Sequence, residues 1–341
     1  MKKKVTVLDV ARHAGVSQGS VSRVLTGKNW VSDDVRAKVQ QAAQALGYVP
    51  NAMAQGLKAQ RTRTVAAIVS DISNPLHGEF LAAAEDELRS AGYLLVVAST
   101  HSRIEQESAL LTLFRAGRAD GLIVAHSNET RQETYALLRE TGLPIVFHDR
   151  EPSGIGDAVL ADHRAGAEAA TRHLLGLGHH RIAILTPPAV VRPGRERLAG
   201  YGHALQEAGL EVDPAFVRSL DASSDLAFSE TKSLLAMKRR PTAIITLGTR
   251  MLAGVLTASA SCGLQVPEDL SVVGVGDTDL LRLHTPPITS VRWDIARCGG
   301  LAAGLLIDRM AQGNQGQPPR ACYVPVELVL RNSTAAPRTR R

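Results

Sequence analysis

The run VTVLDVARHAGVSQGSVSRVLTGKNWVS, Val5 to Ser32, sets two short helical patterns on either side of Gly15. Thr6 is placed to cap a first helix with Asp9 in its first turn, and Val7, Val10, Ala11 and Ala14 recur at helical spacing on one apolar face. Ser17 caps a second helix that turns Val16, Val21, Val24 and Leu25 inward and leaves Gln18, Gly19, Ser20, Ser22 and Arg23 outside. Ser32 with Asp33 and Asp34 opens a third helix to about Leu46, whose Val35, Val39, Ala42, Ala43 and Leu46 close a small core. The pattern is a helix-turn-helix, in which the second helix offers short hydrogen-bonding side chains to base edges in a major groove.

Charge supports that reading. Residues 1 to 63 carry eleven Lys and Arg against three Asp, a net +8, whereas the 341-residue chain as a whole carries +6. A basic module on a nearly neutral body is the footprint of a polyanion-binding head. At 44% hydrophobic the chain can bury a large core in two or more domains. The opening Met-Lys-Lys-Lys is followed by Asp9, Arg12 and His13 and by no apolar run of membrane length, so a soluble cytoplasmic protein is expected. Cys262, Cys298 and Cys322 lack metal-ligand spacing and read as buried thiols.

After Thr64 the pattern changes. VAAIVSD (65–71), LLVVAST (94–100), GLIVAH (121–126), PIVFHD (144–149), RIAILTP (181–187), AIITLG (243–248) and LSVVGVG (270–276) are short apolar runs suited to strands buried on both faces of a parallel sheet, with helical stretches between them. The expected fold class is α/β: two doubly wound parallel-sheet lobes preceded by a small all-α head. Ligands of such sheets lie beyond the carboxyl ends of the strands, which puts the following loops around a cleft.

The head, followed by VSDDVRAKVQQAAQALGYVPNAMAQGLK, resembles the lactose-repressor (LacI/GalR) family of bacterial transcription regulators. The resemblance continues in order through VAAIVSDISNPL, ADGLIVA, PIVFHDR, GHHRIAIL, RERLAGY, RRPTAII, VPEDLSVVGVGD and TPPITSVRWD. It implies a helix-turn-helix head over 1–49 and a hinge and linker over 50–63. It also implies a periplasmic-binding-protein-like core whose first lobe is 64–161 plus 292–321 and whose second is 162–291 plus 322–332, with crossings near 162, 291 and 322. Residues 333–341 are expected to be a disordered basic tail. The family likeness further implies a homodimer on double-stranded operator DNA, contacted by Thr6, Ser17, Gln18, Gly19, Ser20, Ser22, Arg23 and Asn29, with Leu57 wedging into the minor groove from a hinge helix. Gly56 departs from the bulkier residue common in that hinge.

For the effector cleft the resemblance points to Ser73, Asn74, Asp149, Arg150, Arg197, Thr249, Asp277 and Trp293, with Arg192, Arg195 and Arg250 near them. Departures from the family pattern shift the expected ligand. Gly248 and Thr249 stand where sugar-responsive relatives usually have Asn-Asp, Gly276 and Asp277 where they have Asp-Asp, Leu76 and His77 where an aromatic pair is common, and Trp293 where a glutamine is common. More arginine and fewer carboxylates favour an anion such as a sugar acid, a sugar phosphate or another small organic acid. No catalytic constellation, cofactor motif or metal-ligand spacing is assembled, and adjacent His179 and His180 read as a loop before a strand. An enzyme is therefore not expected. A periplasmic-type solute-binding protein would explain the lobes but not the basic head, and an effector acting as co-repressor is the alternative to induction.

Overall fold

Thr6 and Asp9 close a reciprocal capping box: the Thr6 amide and hydroxyl donate to Asp9 Oδ2 at 2.9 and 2.7 Å, and the Asp9 amide returns to Thr6 Oγ1. The box starts α1 (Val7–Ala14), and Gly15 ends it at φ 65°. Ser17 Oγ accepts the Ser20 amide at the start of α2 (Gln18–Leu25), and α3 (Asp33–Ala45) follows. Val10, Ala11, Val21, Val24, Val39 and Ala42 form the buried core of this head. The computed structural model describes residues 5–25, 31–48, 62–116, 118–221, 223–312 and 318–338, and the chain divides into one unit of Met1–Thr62 and another of Arg63–Arg341. Asn29, Leu57 and nearly all of the expected hinge lie outside the described residues.

The second unit holds two six-stranded sheets. In the first, β1 (Thr64–Val69), β2 (Leu94–Ser99), β3 (Gly121–Val124), β4 (Ile145–His148), β5 (Asp157–Ala161) and β11 (Ala321–Val324) run parallel in the order β11-β5-β4-β3-β1-β2. In the second, β6 (Ile182–Thr186), β7 (Val217–Ser219), β8 (Ala243–Leu247), β9 (Ser271–Val275) and β10 (Thr289–Trp293) are parallel, and β12 (Val326–Val329) pairs antiparallel on the edge, in the order β12-β10-β9-β8-β6-β7. Strands such as β3, β4, β6 and β8 are buried along their whole length, as apolar runs covered on both faces must be. The covers of the first sheet are α4 (Pro75–Ser90) and α12 (Ile295–Gln312) on one face, α5 (Ile104–Arg115) and α6 (Gln132–Glu140) on the other. The second is covered by α7 (His163–Gly176) and α8 (Arg192–Glu207), and by α9 (Ser224–Ala236) and α10 (Arg250–Ser261); α11 (Asp279–Leu283) is a short turn after β9.

The chain leaves the first lobe at Asp162. It stays in the second through Trp293 and in the first again through Val324, so the later crossings fall at about 294 and 325 rather than 291 and 322. Strand pairing explains the delay: Arg292 and Trp293 pair with Glu327 and Val326, and Cys322 to Val324 pair with β5. The expectation of a disordered tail from 333 fails as far as Arg338. Ser333 is fully buried, takes the Thr289 amide and gives its proton to Val272 O; Ala335 is held by Ser271 and His179, and Arg338 pairs with Asp269 at 2.8 Å. His179 is thus a buried hub, with Nδ1 2.8 Å from Thr242 Oγ1. Asp157, also fully buried, opens β5 and receives Arg309 at 2.5 Å and Arg320 at 2.8 Å.

Candidate functional site

On the head, Gln18, Gly19 and Arg23 are exposed on α2 and Ser20 and Ser22 are half-buried. Thr6 and Ser17 serve as helix caps, so their side chains are already engaged by backbone amides. The second helix therefore turns its polar early residues outward while Val21 and Val24 anchor it.

The loops beyond the carboxyl ends of both sheets face one another, and in each sheet the strand order reverses beside the first strand, between β1 and β3 and between β6 and β8. Ion pairs span the lobes there, the shortest being Asp71 with Arg250 at 2.7 Å, Glu129 with Arg195 at 3.2 Å, and Glu151 with Arg192 at 3.2 Å. The Glu129 amide also donates to Val190 O at 2.9 Å. Ser73 gives its amide and hydroxyl to Asp71 Oδ1, and Asn74 caps α4 by accepting the Leu76 amide. Both are expected cleft residues, and both are spent on shaping the loop after β1.

Asp149 follows β4 at φ 51°, a left-handed position that Asp tolerates. Its Oδ1 accepts the Ala161 amide at 2.8 Å, and its Oδ2 lies 3.1 Å from His163 Nε2, off the hydrogen-bond direction. Burial alone would raise this carboxyl's pKa, but the His163 ring and the Ala161 amide hold it well below the usual range. On the far side of the ring, Arg197 Nη2 lies 3.3 Å from His163 Nδ1. A guanidinium can only donate, so Nδ1 accepts and the ring proton sits on Nε2, toward Asp149. Burial also holds His163 below the ordinary histidine pKa. Trp293 sets its edge against the ring at 5.3 Å and 89° and reaches the apolar cores of both lobes.

Arg150 and Arg197 are both buried, but they are spent differently. Arg150 donates to His126 O at 2.5 Å and to Asp149 O at 2.9 Å, main-chain acceptors that fix the loop after β4. Arg197 keeps a buried Nε with no partner, and burial pulls its pKa down to about 10. The hydroxyls of Thr186 and Thr249, at the ends of neighbouring β6 and β8, are likewise buried and unpartnered. Asp277 is saturated by Arg331 at 2.7 Å and by the Ser290 hydroxyl at 2.9 Å.

The geometry also accounts for a departure from the family pattern. The Gly248 amide donates to Val275 O at 2.6 Å, and a Cβ on Gly248 would run into the carbonyl oxygen of Gly276, so an asparagine does not fit there. A Cβ on Gly276, itself at φ 96°, would come within 2.7 Å of Leu76 Cδ1 of the other lobe. His163, His126 and His148 were not singled out from sequence. The only signal for His163 was its place beside the first crossing; His148 stacks on Phe80 at 3.9 Å, and His126 meets the Tyr135 hydroxyl at 3.1 Å. No helix among the described residues is long and apolar enough to cross a membrane.

Comparisons with known proteins agree with this layout. A model of bacterial regulatory proteins of the lacI family matches residues 6–51, and one of the periplasmic binding protein-like domain matches residues 171–334. The chain is 32% identical to the HTH-type transcriptional repressor PurR of Photobacterium profundum, over 96% of this chain and 98% of that protein. It is 34% identical to the ribose operon repressor of Escherichia coli, over 90% of this chain and 93% of that one. A crystal structure of the lac repressor dimer bound to operator and the anti-inducer ONPF matches with a TM-score of 0.83 and 30% identity, covering 98% of this chain and all of the other.

Proposed function

The chain belongs to the lacI family of bacterial regulatory proteins and is a ligand-responsive DNA-binding repressor, and from this premise we propose that it holds a pseudo-palindromic operator as a homodimer and is released by a small anion in the interlobe cleft. Gln18, Ser22 and Arg23 read bases in the major groove, and the two-fold symmetry of the dimer sets the half-site spacing. The cleft binds without turnover.

One observation carries the ligand class. Both aspartates expected in the cleft, Asp149 and Asp277, already accept from protein donors, whereas Arg197 retains a buried donor with nothing to receive it. A buried guanidinium with an unmatched donor favours a carboxylate or phosphate. A neutral sugar is the competing occupant, favoured by the similarity to a ribose operon repressor.

The test is calorimetry on the full chain with gluconate, ribose 5-phosphate and ribose, followed by gel shift on selected genomic fragments. Binding of either acid with loss of the shifted band supports the reading. Tight binding of ribose alone overturns the ligand class, and a tighter shift with ligand makes the effector a co-repressor.

A further inference from the structure

We propose that His163 is a positioning residue of the effector site: it holds the Arg197 guanidinium in the orientation that presents its free donor, and it ties that orientation to the first lobe. The proposal rests on Arg197 being the anion ligand. His163 is 2% exposed and lies one residue past the first crossing between lobes. Its Nδ1 accepts from Arg197 on α8 of the second lobe, and its Nε2 faces Asp149 at the end of β4 in the first. Trp293, at the end of β10 just before the second crossing, walls the ring. The ring is thus a joint between the two lobes, clamped on three sides. A side chain with no acceptor at the Nδ1 position leaves the arginine's long stem free to turn, so the ordering cost then falls on ligand binding.

The test has two arms, both in a Trp30→Phe background so that Trp293 is the only tryptophan. In the first, Trp293 emission is titrated from pH 8 to 4.5 without ligand, since a protonated imidazole at the indole edge quenches it. The charged and titratable groups facing His163 are Asp149, Arg197, Arg192 and His148. The expected midpoint lies below the ordinary histidine range, vanishes in His163→Leu, and moves upward in Arg197→Met, which removes both a neighbouring charge and the donor on Nδ1. A midpoint that Arg197→Met leaves in place overturns the contact. In the second arm, calorimetry with gluconate and ribose 5-phosphate compares variants whose near-UV spectra match the parent. His163→Leu is expected to weaken binding about tenfold. His163→Asn, whose Oδ1 takes the place of Nδ1, stays within about threefold. Binding lost in Arg197→Met but unchanged in His163→Leu sinks the positioning role and leaves the anion reading standing. No binding of either acid by the parent sinks the anion reading, and the fluorescence arm still decides whether His163 holds Arg197.

Discussion

Replacing Arg197 by methionine keeps the apolar stem and removes the guanidinium, and the structure fixes what that does to stability and to binding. Burial lowers the arginine pKa from its ordinary value to about 10. At about 1.36 kcal/mol per pH unit, burying this cation costs on the order of 3 kcal/mol. The methionine relieves that cost but strips His163 Nδ1 of its donor, and a buried acceptor left alone costs about 1–3 kcal/mol. The two terms largely offset, so the urea midpoint of the core is expected to correspond to a stabilisation of about 0–2 kcal/mol. Ligand binding has no such compensation. A charge-assisted hydrogen bond is worth about 1.5–3 kcal/mol, so affinity for a bound acid falls by roughly 10- to 150-fold. Denaturant unfolding followed by circular dichroism and calorimetry on the same preparations separate the two quantities. Destabilisation beyond about 2 kcal/mol would refute the reasoning, because breaking a satisfied buried ion pair costs about 3–5 kcal/mol and Arg197 would then be structural.

Gly248→Asn, which restores the family's residue, is expected to drive the β8 and β9 loops apart and cost more than about 2 kcal/mol; an unchanged unfolding midpoint contradicts the packing argument. Burial holds His126 at about 3 and His148 at about 4, so below pH 6.5 the unfolded chain takes up protons that the folded chain refuses. Stability is full above that pH and falls as pH drops toward 4, by up to about 1.36 kcal/mol per pH unit for each ring, and His148→Leu makes the decline shallower by one proton. A flat profile between pH 6.5 and 4.5 in the parent protein argues against buried neutral rings. Gln18→Ala or Ser22→Ala changes base preference at one position per half-site, with a loss of about 1–3 kcal/mol there in a gel-shift competition; equal loss on random DNA means that neither is a reader. Light scattering at micromolar concentration is expected to give twice the chain mass, and a monomer counts against paired heads on one operator.

Elements whose signal is local were legible. The head follows from caps and apolar spacing within a few residues, and seven strands follow from apolar runs. What escaped depends on distant partners. β5 begins with Asp157, a residue that reads as surface until Arg309 and Arg320 arrive from the far end of the chain to neutralise it. β10, β11 and β12 are short and mixed in polarity, and their crossings shift because pairing across the sheets, not composition, decides where each strand stops. In the cleft, Arg197 and Asp149 were found by motif. Their states were not: whether a carboxylate is free or saturated depends on Arg331 for Asp277 and on Ala161 for Asp149. His163 had no motif at all, since its partners stand on three separate elements.

The segment from Arg331 to Arg338 has a practical consequence. Arg331 grips Asp277 just beyond the carboxyl end of β9, and Ser333 and Ala335 stitch the opposite rim of the same sheet. An affinity tag, a reporter fusion or a protease nick within these residues therefore does not land on an inert end. Cutting the chain after Leu330 leaves the Asp277 carboxylate without Arg331, and if Asp277 lines the proposed effector site, a truncated protein of that kind would report a ligand preference that belongs to the cut and not to the repressor.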